Sequence, residues 1–194
     1  MARKRPDDRF EHLVEAATRA FIQNGGFKRT SIEDVAKELG VAKGTVYLYV
    51  QSKEALFDVC LRRADAPGAE PEPPLPVPTP DPSETLDYVR GLIGGSSLFG
   101  ALDEVLSEDA RLEPRAALER VVDELYAAFT EHRVKLRLIN ASARDLPELG
   151  ELWFGAARGG INRRLATWLS RRATARGRLP LSESPLAPRP LTLN

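Results

Sequence analysis

The chain has 194 residues, 42% hydrophobic and 29% charged, which is ordinary for a soluble globular protein with a buried core. No apolar run is long enough to span a membrane, and no apolar segment of the secretory type follows the basic start Met1–Pro6. The single cysteine, Cys60, excludes an intramolecular disulfide. The expectation is a cytoplasmic protein. The formal net charge of zero conceals segregation: residues 1–63 carry +3, residues 64–153 carry −10 and residues 154–194 carry +7. Such asymmetry suits different partners for different segments, or solvated faces alone.

In chain order, Asp7–Asn24 places Phe10, Leu13, Val14, Ala17, Ala20 and Phe21 on one helical stripe. Gly25-Gly26 ends that helix, since glycine tolerates a left-handed C-cap. Thr30-Ser31-Ile32-Glu33-Asp34 offers two overlapping capping boxes, Thr30 with Glu33 and Ser31 with Asp34. The helix they start runs to about Leu39 and Gly40 breaks it. A segment from Ala42 to about Tyr49 follows, and Ser52 can cap a further helix to about Ala64. Pro67–Pro82 is too rich in proline for a helix or central strand and reads as an extended spacer. Helical patterns resume over 83–93, 98–110, 114–132, 134–143 and from Leu146 to about Arg176, with Gly159-Gly160 marking a kink or a close helix contact. No strand pattern is convincing, so the fold is all-α. The domains expected are 1–66, a spacer 67–82, a helical domain 83–177 and a disordered tail 178–194.

Ile32–Tyr49 carries the functional signal. A helix-turn-helix needs a small residue inside its first helix, a glycine in the tight turn and an aliphatic residue pinning the second helix. Ala36, Gly40 and Val46 meet those needs. From Leu39 to Lys53 there is no Asp or Glu, while Lys43, Lys53, Thr45, Tyr47 and Tyr49 supply hydrogen-bonding groups. Such a helix approaches phosphates without repulsion, and Gly44 lets its backbone come close to a duplex. The plainer reading is a helical hairpin whose tyrosines merely pack.

The residues Gly26-Phe27, Thr30-Ser31-Ile32, Val35-Ala36, Leu39-Gly40-Val41-Ala42-Lys43-Gly44-Thr45-Val46-Tyr47, Tyr49 and Ser52-Lys53-Glu54-Ala55-Leu56 resemble the TetR family of bacterial regulators. The likeness covers about Phe10–Phe57. Ala42 departs from the Ser or Thr commoner there, and Val50 from Phe. The resemblance implies a homodimer that sets the Ala42–Tyr49 helix of each subunit in the major groove of double-stranded, palindromic DNA. It also implies C-terminal helices that dimerise and enclose a pocket for a small-molecule effector, whose binding releases the DNA, as in a repressor. Lys43 is placed to reach a guanine or a phosphate, and Thr45 a base edge or thymine methyl. Tyr47 and Tyr49 are expected on phosphates, with Thr30, Ser31 and Lys53 at helix starts that could meet the backbone. The arm Arg3-Lys4-Arg5 adds general attraction or enters the minor groove.

Tyr88, Leu92, Phe99, Leu102, Tyr126, Phe129 and Trp153 can line an effector cavity or fill a core. The long last helix offers Leu149, Trp153, Ala156, Ile161, Leu165 and Trp168 for pairing, with the intrachain core as the alternative for Trp168. The final interface helix usual in the family is missing from 179–194, so the dimer is expected to be weak. The proline-rich spacer is expected to transmit little, with coupling carried by side chains between the first helix and those after Ser83. Two histidines far apart, an isolated Cys60 and no phosphate-cradling loop give no enzyme motif, no metal site and no cofactor. Readings of another class are a small-molecule-binding protein that no longer regulates DNA, and a DNA-organising protein that ignores ligands.

Overall fold

The structure is a computed structural model that describes residues 6–66, 73–94 and 113–175. Its regular elements are all helical: α1 (Pro6–Gln23), α2 (Ile32–Leu39), α3 (Lys43–Val46), α4 (Lys53–Arg63), α5 (Pro82–Gly94), α6 (Pro114–Glu131), α7 (Arg133–Ser142), α8 (Pro147–Gly150), a π-helical stretch Glu151–Arg158, and α9 (Gly159–Ala175). The region 98–110, with Phe99 and Leu102, the arm 3–5, most of the spacer's start and the tail lie outside the described residues.

The apolar stripe of α1 does what its spacing demands. Phe10, Leu13, Ala17 and Phe21 are fully buried and pack on α2, α4 and α7. α1 ends where Gly25 and Gly26 take φ of 86° and 122°, values that L side chains rarely adopt. Gly26 has a second reason to be glycine. A Cβ there would lie 2.5 Å from the Ala141 carbonyl oxygen and 2.9 Å from Ser142 Cα. The loop after α1 therefore rests its bare backbone on the end of α7, and the Phe27 amide donates to Ser142 Oγ at 3.2 Å.

The end of α4 makes a second bond to the same helix. His132 gives α7 no side-chain cap. Asp65 supplies it from outside, accepting from the Val134 amide at 2.7 Å and the Lys135 amide at 2.9 Å. Nearby, Tyr88 of α5 lies between the Arg62 guanidinium and the Lys135 ammonium, 4.6 and 5.5 Å from its ring centre. Arg63, itself buried, bonds Glu11 of α1 through Nε at 3.0 Å. The first four helices and α7 are thus one packed body.

The last helix differs from its expected form. The irregularity is the wide turn over Glu151–Arg158, and the ordinary helix resumes at Gly159, where a Cβ would stand 3.1 Å from the Phe154 carbonyl. Gly150 allows close approach, since a Cβ would meet the Ala143 carbonyl at 2.6 Å. Leu149, Trp153 and Trp168 sit in the chain's own core, with Trp153 Nε1 donating to Asn140 Oδ1 at 3.0 Å, and Leu165 packs against that core. Three of the side chains expected to pair between subunits are therefore spent within one. Among the described residues of this half, the exposed large apolar side chains are Leu118, Val122, Tyr126 and Phe129 on α6, with Phe154 and Leu169.

Gly26→Ala combines a positive φ with a backbone clash and should cost about 2–4 kcal/mol of unfolding free energy in urea titration. Gly91→Ala, in mid-helix with open space at its Cβ, should stabilise by up to ~1 kcal/mol. Equal effects of the two would remove the special status given to the α1–α7 contact.

Candidate nucleic-acid interface

The turn between α2 and α3 is built by three residues in different ways. Ala36 and Val46 are buried against each other's helices and set how closely α2 and α3 cross. Gly40 takes φ of 73°, and its amide reaches the Ala36 and Lys37 carbonyls. Nothing lies within 4 Å of where its Cβ would be, so the requirement for glycine is one of backbone angle, not of space.

Of the two capping boxes the sequence offers, the Ser31–Asp34 one forms. The Asp34 amide donates to Ser31 Oγ at 3.2 Å, and Asp34 Oδ2 accepts from the Ser31 amide at 2.8 Å. Those bonds from the Ser31 amide, then its hydroxyl, hold the Asp34 carboxyl below the usual range. Thr30 is turned inward instead. Only 1% of it is exposed, and its hydroxyl donates to the Gly26 carbonyl at 2.9 Å. This corrects the expectation that its side chain helps at the helix start.

α3 is shorter than expected. Its regular turn covers Lys43–Val46, and tighter bonds from Leu48 to Thr45 and Tyr49 to Val46 carry the chain on. Ala42, in the capping position, makes no side-chain cap. At the far end Val50 is drawn out of the helix into a parallel bridge with Val77. The outer surface is Lys43, Gly44, Tyr47 and Leu48, all exposed, with Thr45 and Tyr49 half-buried and Ser31 exposed at the start of α2. Tyr49 packs near Phe10, ring centres 6.4 Å apart.

Lys53 also departs from its expected role. Its ammonium donates to the Phe27 and Thr30 carbonyls, both at 3.1 Å, and stands 4.2 Å from the centre of the Phe27 ring. It closes the loop between α1 and α2 rather than facing outward. Ser52 caps α4 as expected, accepting from the Ala55 amide at 3.1 Å.

Sequence reasoning missed the strap formed by residues 73–81. The Val77 amide donates to the Tyr49 carbonyl at 2.8 Å, the Gln51 amide donates to the Val77 carbonyl at 2.9 Å, and Thr79 Oγ1 donates to Ser52 Oγ at 2.8 Å. The described part of the proline-rich segment is fastened along the end of α3. The signal was present: Leu75, Val77 and Thr79 alternate with Pro76, Pro78 and Pro80, which leaves amides on alternate residues to pair as in an edge strand.

Of the residues proposed from sequence for an effector cavity, the described ones are dispersed. Tyr88 donates to the Leu61 carbonyl at 3.4 Å, Leu92 is half-buried against the core, and Trp153 is buried. Tyr126 and Phe129 are 73% and 45% exposed. A cavity that the described residues form lies between α4, α5, α8, the strap and the Phe27 loop, and is lined by other residues. Among the described residues no cluster of three or more His, Cys, Asp and Glu could hold a metal, and no helix is long and apolar enough to cross a membrane. Burial pushes the Cys60 thiol up to about 12, partly offset by the Thr18 hydroxyl, so it is not a reactive thiolate.

A Ser-capped α2, a left-handed glycine turn and an acid-free, outward-facing α3 define a helix-turn-helix DNA-binding domain. Residues 13–60, which make up this domain, match the family described as bacterial regulatory proteins, tetR family. The chain is 47% identical over 51 residues to the HTH-type transcriptional regulator YhgD of Bacillus subtilis, covering 26% of each chain. It is 24% identical over 158 residues to the HTH-type transcriptional regulator EthR of Mycolicibacterium smegmatis, covering 79% of this chain and 56% of that protein. The chain therefore spans from about a quarter to just over half of these relatives' lengths. A solved TetR-family regulator from Mesorhizobium loti MAFF303099 aligns over 90% of this chain and 72% of its own, at 24% identity and a TM-score of 0.37.

If Lys53 serves the loop, Lys53→Met should lower stability by about 1.5–3 kcal/mol, the worth of hydrogen bonds to a charged group. Thermal or urea unfolding reads this directly. Unchanged stability together with weakened DNA binding would return Lys53 to the duplex-facing surface.

Proposed function

We propose that the protein is a ligand-responsive transcriptional regulator, a homodimer that holds a palindromic DNA operator through α3 and releases it when a small molecule binds, most simply as a repressor. The observation that carries the DNA reading is the chemistry of one surface. Lys43, Gly44, Tyr47 and Leu48 face outward on a turn whose inner residue, Val46, is fully buried, and no carboxylate occurs between Leu39 and Lys53. Lys43 then reaches a guanine edge or a phosphate, Thr45 a base edge or thymine methyl, and Tyr47 and Tyr49 phosphates. Ser31 stands exposed at the start of α2, beside the backbone of the duplex, with its box to Asp34 in place. Thr30 and Lys53 contribute by shaping the loop that carries Ser31.

Dimerisation is supported by the apolar side chains left exposed: Leu118, Val122 and Tyr126 stand four residues apart on α6, with Phe129 three further on. The same domain in the regulators named above supports transcription control as its use. No catalytic role is assigned to any residue.

Fluorescence anisotropy with genomic fragments tests this. Lys43→Ala should weaken specific binding by about 1–3 kcal/mol and relax preference at one base per half-site if it reads a guanine. Gly44→Ala, whose Cβ meets no protein atom within 4 Å, should leave the unfolding midpoint in place while weakening binding. Tyr47→Phe should weaken all sequences alike, and two chains should bind each site. Affinity unchanged by all three substitutions overturns the assignment of α3. Sequence-blind, ligand-blind binding points to a DNA organiser, and no binding to any fragment points to a protein that takes small molecules alone.

A further inference from the structure

A half-open cavity of about 320 Å³ lies where the helix-turn-helix unit meets the helices behind it. Phe27 and Phe57 form one side, their rings 5.2 Å apart and edge-on. Leu86 of α5, Leu149 of α8 and Pro80 of the strap supply further apolar walls. The volume falls within the roughly 300–1,000 Å³ typical of small-molecule sites. The ionisable groups among its described lining residues are both carboxylates, Glu54 at the start of α4 and Glu148 in α8, and the Lys53 ammonium, 4.2 Å from the Phe27 ring, is already held by the Phe27 and Thr30 carbonyls. Among the described residues the ion pairs around it are Arg29–Asp145 and Arg62–Asp58, and neither Glu54 nor Glu148 belongs to one. Thr85, also in the lining, is already committed, donating to Asp58 Oδ1 at 2.8 Å. Two uncommitted carboxylates on an aromatic and aliphatic wall complement one class of ligand: a compact apolar body bearing a positive charge.

The wall at Pro80 leads to the DNA-facing surface. One residue before it, Thr79 bonds Ser52, and three before it Val77 exchanges backbone bonds with Tyr49 and Gln51. A ligand that displaces Pro80 therefore acts on a chain already fastened to the end of α3.

We propose that this cavity binds a small organic cation, an aromatic or alicyclic amine, and that occupancy shifts the strap and lowers DNA affinity. The second half rests on the regulator reading above; the first does not. Calorimetry on the full chain without DNA tests the site, using tryptamine, its neutral analogue tryptophol and its anionic analogue indole-3-propionate. Tryptamine should bind about three- to fivefold more tightly than tryptophol, the scale of a partly exposed charge pair, and indole-3-propionate most weakly. Glu54→Gln with Glu148→Gln, both at exposed positions, should abolish the preference for the amine while tryptophol binding persists. No binding, no charge preference, or a preference that survives both substitutions overturns the site. For the coupling, tryptamine should weaken DNA binding by the wild-type chain but not by Val77→Pro, which lacks the amide that bonds Tyr49. Tryptamine binding that leaves wild-type DNA affinity unmoved, or moves both proteins equally, overturns the coupling. If no DNA fragment binds even without amine, the regulator reading fails and calorimetry still decides the site.

Discussion

The absence of one methyl group, at Gly26, governs how the two halves of this chain meet. Any side chain there would drive into the Ala141 carbonyl and the backbone of Ser142. With the approach open, the Phe27 amide reaches Ser142 Oγ, and the Phe27 ring stacks by Phe21 and meets Phe57 edge-on. The same loop turns its Phe27 and Thr30 carbonyls toward the Lys53 ammonium. Asp65 then caps α7 from the end of α4. These are charge-assisted bonds, worth about 1.5–3 kcal/mol each where both partners stay aligned. The helix-turn-helix unit is consequently not a bead on a string. It shares a core and a hydrogen-bond network with α7.

That arrangement explains how a very short α3 holds its shape. Four helical residues without a side-chain cap have almost no stability of their own. Val46 anchors the turn from inside, Gly40 sets its entry, and Val50 is held in place by the strap. The surface that would read DNA is therefore a tertiary product, and its geometry depends on contacts that reach into the other half of the molecule. The two halves are joined along two routes: the α1–α7 seam and the strap along Tyr49, Gln51 and Ser52. The sequence suggested the first route and discounted the second.

Local rules carried the sequence reading a long way. The α1 stripe, the Ser31–Asp34 box, the Gly40 turn, the Ala36 and Val46 positions, and Pro114 opening α6 all follow from chemistry within a few residues. What escaped was non-local. Thr30 and Lys53 look like surface hydrogen-bonders until the loop folds over them and supplies buried carbonyls. Asp65 as the cap of a helix that begins at Arg133 has no sequence signal, because the two residues are neighbours only after α4 docks on α7. Tyr88, Tyr126 and Trp153 share an apolar character but end up between two cations, in solvent and in the core, respectively. Aromatic composition says that side chains can line a cavity, and packing decides which do.

In the proposed complex the turn from Lys43 to Tyr49 lies against the duplex. Leu48 is 68% exposed on that turn, and Cys60 is buried, so Leu48→Cys can be labelled selectively with an iron chelate that cleaves DNA. On a bound fragment, cleavage should fall in two clusters related by two-fold symmetry and separated by about one helical turn or a small multiple of it. The same label at Gly91→Cys on α5, an exposed position with open space at its Cβ, should leave the DNA intact. Cleavage from position 91 and none from position 48 would contradict the account and place the DNA on another face of the protein.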